Sequence, residues 1–170
     1  VMRFVLVALG LATAATAAQR PVITAAQPPL IPAAERPVGP KAEPPVILVF
    51  GDSLAAGYGL PQGKGWVDLL QKKLLDGGFD YRVVNASVSG ETSLGGRRRL
   101  PTALATHGPQ IVILELGSND GLRGQPLSAL RDNLVAMIQD ARRAQARVLL
   151  AGMRIPPNYG PDYTEKFQAT

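Results

Sequence analysis

Three short polar segments hold the residues whose types and spacing could do chemistry: Gly51-Asp52-Ser53-Leu54, Asn85-Ala86-Ser87-Val88-Ser89-Gly90-Glu91-Thr92-Ser93 and Gly117-Ser118-Asn119-Asp120-Gly121. A hydroxyl, a backbone N–H on a residue without a side chain, and a carboxamide are the parts needed to attack a carbonyl carbon and stabilise the oxyanion that results. Composition removes other chemistries. The 170 residues include no Cys and a single His, His107, so no thiolate nucleophile, disulfide framework or Cys/His zinc cluster can be assembled from them. Competing motifs fail on spacing. G-x-S-x-G is absent, and a phosphate loop ending at Gly63-Lys64 would need Gly at Tyr58 and Ser or Thr at Gly65. A dinucleotide fingerprint starting at Gly57-Tyr58-Gly59 would need a third Gly at Gln62. No metal or organic cofactor is implied.

Each of these residues also fits a purely structural part. Ser53 could cap a helix, a role worth ~1 kcal/mol. Gly90 could serve a turn that needs positive φ, and Asn119 could close an Asx turn. Taken singly, position favours the cap for Ser53 and the Asx turn for Asn119; only the three segments taken together, in their order, turn the reading to chemistry.

Val46 to Phe50 is an unbroken apolar run, the pattern of a strand buried on both faces of a parallel sheet. Tyr81 to Asn85, Ile111 to Leu116 and Arg147 to Met153 read similarly, and helical patterns at 66–76, 93–106 and 127–145 separate the four runs. The order β-α-β-α-β-α-β predicts a flavodoxin-like three-layer α/β/α domain with a parallel sheet, which takes ligands beyond the carboxyl ends of its strands. All three polar segments follow such strand ends. Glu115, inside an apolar strand, needs a polar neighbour or a place at the site's edge.

Read in order as GDSLAAGYGL, NASVSGETS and LELGSNDGLRG, the three segments resemble the first three blocks of the SGNH (GDSL) hydrolase superfamily. GLRG and the later IPPNYGPDY resemble, within it, the bacterial periplasmic thioesterase I, lysophospholipase and arylesterase group. The resemblance spans about 46–170. It implies Ser53 as nucleophile, with an oxyanion hole formed by the backbone N–H groups of Ser53 and Gly90 and the side chain of Asn119. Asp52 would support the turn, and the substrate would be a small-molecule acyl or aryl ester or a thioester. Two other readings stand beside it: a noncatalytic module holding a small polar ligand in the same crevice, and a carbohydrate acetylesterase. The apolar loop residues Leu122 and Ile155 to Pro157 favour acyl chains.

The same resemblance implies a fifth strand and, after it, a D-x-x-H block supplying the catalytic base and its carboxylate. No D-x-x-H occurs in this sequence. His107 precedes the third strand and so belongs at the opposite edge of the sheet. The chain also opens with Val before Met and stops within what reads as the start of a helix. The expectation is therefore a C-terminally truncated chain with four of five strands, carrying only the nucleophile and oxyanion half of a site and inactive as given.

Met2-Arg3, the apolar run Phe4 to Ala12 and an A-x-A site at Ala15-Thr16-Ala17 read as a secretory signal peptide over 1–18. No Cys follows for lipid attachment. Residues 19–45 carry eight prolines and read as an extended linker, leaving 46–170 as the domain and a periplasmic or secreted location. The formal charge of +5 is thinly spread, and the run Arg97 to Arg99 lacks neighbouring aromatics on which bases could stack, which argues against nucleic acid. That run reads as a solvated helix face, with contact to an acidic membrane as the lesser alternative.

Overall fold

The structure, a computed structural model, describes residues 43–170; the expected signal peptide and all but the last residues of the Pro-rich linker lie outside the described residues. The elements run β1 (Val46–Gly51), α1 (Ser53–Ala56), α2 (Trp66–Asp76), β2 (Arg82–Asn85), α3 (Ser93–His107), β3 (Ile111–Glu115), α4 (Ser118–Leu122), α5 (Leu127–Arg143), β4 (Arg147–Leu150), a 3-10 turn (Pro157–Tyr159) and α6 (Pro161–Gln168). The four strands form one sheet in the order β2-β1-β3-β4, every neighbouring pair parallel. Parallel pairing needs a crossover between strands, and α2, α3 and α5 supply the three.

All six residues of β1 are buried. Its side chains alternate between two apolar layers, as a strand covered on both faces requires. Leu48 and Phe50 pack with Leu100 and Leu104 of α3 and Leu134 and Met137 of α5, while Ile47 and Val49 pack with Ala55 of α1 and Val67 of α2. This confirms the expected α/β/α layering with a parallel sheet. The central strand also fixes the depth at which the following residues, Asp52 and Ser53, emerge from the sheet.

Several element ends shift by one to three residues from the sequence reading, and one loop residue changes its place. β4 ends at Leu150, not Met153, because β3 ends at Glu115 and the N–H of Ala151 to Leu114 O, 2.9 Å, is the last ladder bond it can offer. Ile155, read as a loop residue facing an acyl chain, is 4% exposed and joins the core beside Phe167 of α6. Among the described residues β4 has a strand neighbour on one side only, and Leu149 and Leu150 remain exposed there.

Candidate active site

The turn after β1 is organised by Asp52, which is fully buried. Its Oδ1 accepts the N–H of Leu54 at 3.0 Å, so Asp52 rather than Ser53 caps α1. Ser53 opens the helix, half-buried, and its N–H is one of the first-turn donors to which an α-helix offers no intrahelical acceptor. The capping alternative for Ser53 is thereby removed. The other Asp52 oxygen, Oδ2, accepts the hydroxyl of Ser118 and, at 3.2 Å, the Nδ2 of Asn119. One carboxylate thus joins the end of β1 to the segment after β3, across 66 and 67 residues of sequence.

The segment after β2 is tied to the same strand end: Ala86 N–H donates to Val49 O at 2.9 Å and Val88 N–H to Gly51 O at 3.0 Å. Asn85 reaches across with its Nδ2 to Ala55 O, 2.8 Å, holding α1 from outside. Gly90 follows in an exposed turn closed by Glu91 N–H to Val88 O, 3.1 Å. Its φ is +80° and a Cβ there would meet no atom within 4 Å, so backbone conformation, not packing, calls for glycine. Asn119 is oriented by the main chain next door, donating through Nδ2 to Glu91 O at 2.9 Å. The three sequence segments therefore meet at the carboxyl edge of the sheet.

Glu115 ends β3 directly beside this turn. A Cβ on Gly51 would stand 3.1 Å from Glu115 Oε2 and 2.9 Å from Ala55 Cβ, so only glycine leaves room for the carboxyl group. Among the described residues Oε2 is buried without a hydrogen-bond partner. Burial, and secondarily the negative Asp52, push its pKa up to about 7.

His107 ends α3 on the far side. Gln110, three residues on, donates its N–H to Val46 O at 3.0 Å, at the first residue of β1, while Ser53 follows the last. Six strand residues at about 3.3 Å each intervene. His107 cannot serve Ser53 in this fold.

The sequence reading missed several side chains that hold the site. Ser118 donates to Asp52. Asp120 is 4% exposed and accepts both the N–H and the Oγ of Ser93, at 2.8 and 2.6 Å, while Asn133 Nδ2 donates to that Oγ at 3.0 Å. Arg99, expected on a solvated face, instead turns inward to Glu91, Ala86 and Phe50. Ser118 and Asp120 flank Asn119 in sequence, which is a usable signal; nothing local marks Arg99. Among the described residues no three His, Asp or Glu side chains gather as a metal ion would need.

A sequence model of the GDSL-like lipase/acylhydrolase family matches residues 49–170. The chain is 57% identical over 121 residues to a protein named Esterase TesA of Pseudomonas aeruginosa, covering 71% of this chain and 60% of that protein. To Thioesterase 1/protease 1/lysophospholipase L1 of Escherichia coli K12 it is 44% identical over 123 residues, covering 72% and 58%. The crystal structure of AlinE4, an SGNH-hydrolase family esterase, superposes with a TM-score of 0.70 at 42% identity, over 74% of this chain and 67% of that one. The chain spans about three fifths of the length of the curated relatives it matches. With its strand-end turn, its parallel sheet and a family match over most of its length, the chain belongs to the GDSL-like lipase/acylhydrolase family, the SGNH hydrolases.

Proposed function

We propose that these residues form the nucleophile and oxyanion-binding half of a serine hydrolase that cleaves small acyl or aryl esters or thioesters. The observation that carries this reading is the buried Asp52 carboxylate. It holds the turn that presents Ser53 and, through its second oxygen, the Asn119 carboxamide. In this reading Ser53 Oγ attacks the carbonyl carbon while a base takes its proton. The tetrahedral oxyanion is met by the N–H groups of Ser53 and Gly90 and by Asn119, the alcohol or thiol leaves with a proton, and water releases the acyl group from Ser53. Both Nδ2 contacts of Asn119 go to protein oxygens, at 2.9 and 3.2 Å, so donation to an oxyanion requires the longer one, to Asp52, to give way. The 170 residues contain no D-x-x-H, and His107 lies at the wrong edge, so none of these residues is assigned as the base.

The names of the relatives, esterase and thioesterase 1/protease 1/lysophospholipase L1, support acyl substrates. So do the exposed Leu54 and Val88, within the first two strand-end segments, and Leu122, directly after the third. Residues 1–18 support export to the periplasm or medium. A fluorophosphonate probe applied to the whole protein carrying this chain should label Ser53, located by mass spectrometry of the adduct. Labelling elsewhere, or undiminished labelling of Ser53→Ala, defeats the assignment.

A further inference from the structure

Arg99 is the motif residue that the proposed chemistry leaves unused, and its surroundings are unlike those of a surface arginine. Its guanidinium carbon lies 4.1 Å from the ring centroid of Phe50, which is fully buried two residues before Asp52. Nη1 donates to Ala86 O at 2.7 Å and Nε to Glu91 Oε2 at 2.8 Å. Ala86 and Glu91 are the two ends of the short segment whose interior includes Gly90. The Glu91 side chain is 13% exposed and that of Arg99 33%, so the pair is part-buried and better shielded than a fully exposed ion pair. The third nitrogen, Nη2, is buried with no acceptor among the described residues.

We infer that Arg99 is a positioning residue for the oxyanion hole: its planar fork clamps both ends of the Gly90 segment onto the end of β1. The inference rests on the function proposed above. Its reach extends to the second side of the hole, because the main-chain carbonyl of the same Glu91 orients Asn119. Moving Glu91 displaces both the Gly90 N–H and the Asn119 carboxamide from where charge develops, and misplacement of that kind acts on the transition state more than on substrate binding. A lysine cannot substitute for the clamp, since a point charge cannot stack on Phe50 and reach both oxygens at once.

The test uses Arg99→Ala and Arg99→Lys in the whole protein carrying this chain, assayed on p-nitrophenyl esters, with Ser53→Ala as control. Arg99→Ala should lower kcat on the order of 10- to 100-fold with KM changed little. Guanidinium ion added at sub-denaturing concentration should restore much of the loss by occupying the vacated site. Arg99→Lys should keep the melting temperature of the parent and still lose kcat several-fold, and it carries the test by itself if Arg99→Ala does not fold. Parental kcat in a folded variant, a defect confined to KM, or a kcat loss in Arg99→Ala that guanidinium does not relieve overturns the inference. If Ser53→Ala retains turnover, the proposed function fails instead, and the two failures are told apart.

Discussion

Glu115 shows how one residue beside the site ties stability to pH. Its carboxyl group titrates near 4.5 when free and about 7 in the fold, chiefly because burial disfavours the charged form. Between these values the folded chain holds the proton more tightly than the unfolded chain. Its contribution to stability is therefore fully present below about 4.5 and is lost as pH rises through about 7. The group is partly open to water, so solvent screening holds the effect to on the order of 1 kcal/mol. Glu115→Gln keeps the shape and removes the titration. Thermal unfolding followed from pH 4 to pH 8 should show the variant losing less stability than the parent and ending the more stable of the two at pH 8. Parallel curves would refute this account of the carboxyl group.

Between elements, the decisive contact is the buried cluster of Asp120 in α4, Ser93 at the start of α3 and Asn133 in α5. Thr92 caps α3 by accepting Gly95 N–H at 3.3 Å, and Asp120 then receives the next donors, the N–H and Oγ of Ser93. The Asp120 carboxylate, next to Asn119 in sequence, holds α4 to α3, and the Ser93 hydroxyl it fixes in turn accepts Asn133 of α5. Asp120→Ala removes an acceptor and strands two buried donors, a change that costs about 1–3 kcal/mol. The expected outcome is a lower urea midpoint at an unchanged m-value. Activity should fall as well, because the helix carrying Asn119 loses its reference to α3. A variant with the parent's urea midpoint would remove the cluster from the fold's main joints.

For the described residues taken as a whole, the open sheet edge at β4 is expected to set behaviour in solution. Leu149 is 57% exposed and Leu150 43%, on a strand whose outer backbone has no neighbouring strand among the described residues. An apolar groove lined by Leu116, Leu150, Met153 and Phe167 runs beside it. An unpaired apolar edge is a template for pairing with another chain. A polypeptide limited to residues 43–170 is therefore expected to elute as large species or precipitate at micromolar concentration. Leu149→Lys, which puts a charge on that edge, should raise its soluble monomeric fraction. Size-exclusion chromatography with light scattering checks both; a stable monomer without the substitution would show the edge to be harmless.

Periodicity marked the four strands and the three crossover helices, because each is a contiguous stretch with its own apolar pattern, but the short helices α1 and α4 carried no such signal. β1 is apolar throughout and buried throughout, and the helices over 66–76, 93–106 and 127–145 lie within two residues of those observed. The ordered polar segments likewise marked which strand ends to compare. What the sequence left undecided are contacts between residues far apart in the chain, which leave no periodic trace: the Asp52 carboxylate holding Ser118 and Asn119, and Asp120 holding Ser93. Arg99 read as solvent-facing because charge run and helix period are local, whereas Phe50, Ala86 and Glu91 come from three other places in the fold. Ile155 read as loop surface, and only the packing of α6 through Phe167 made it core. Local pattern chose the elements, and tertiary packing alone decided which side chains are desolvated together and so which of them can hold a reacting group in place.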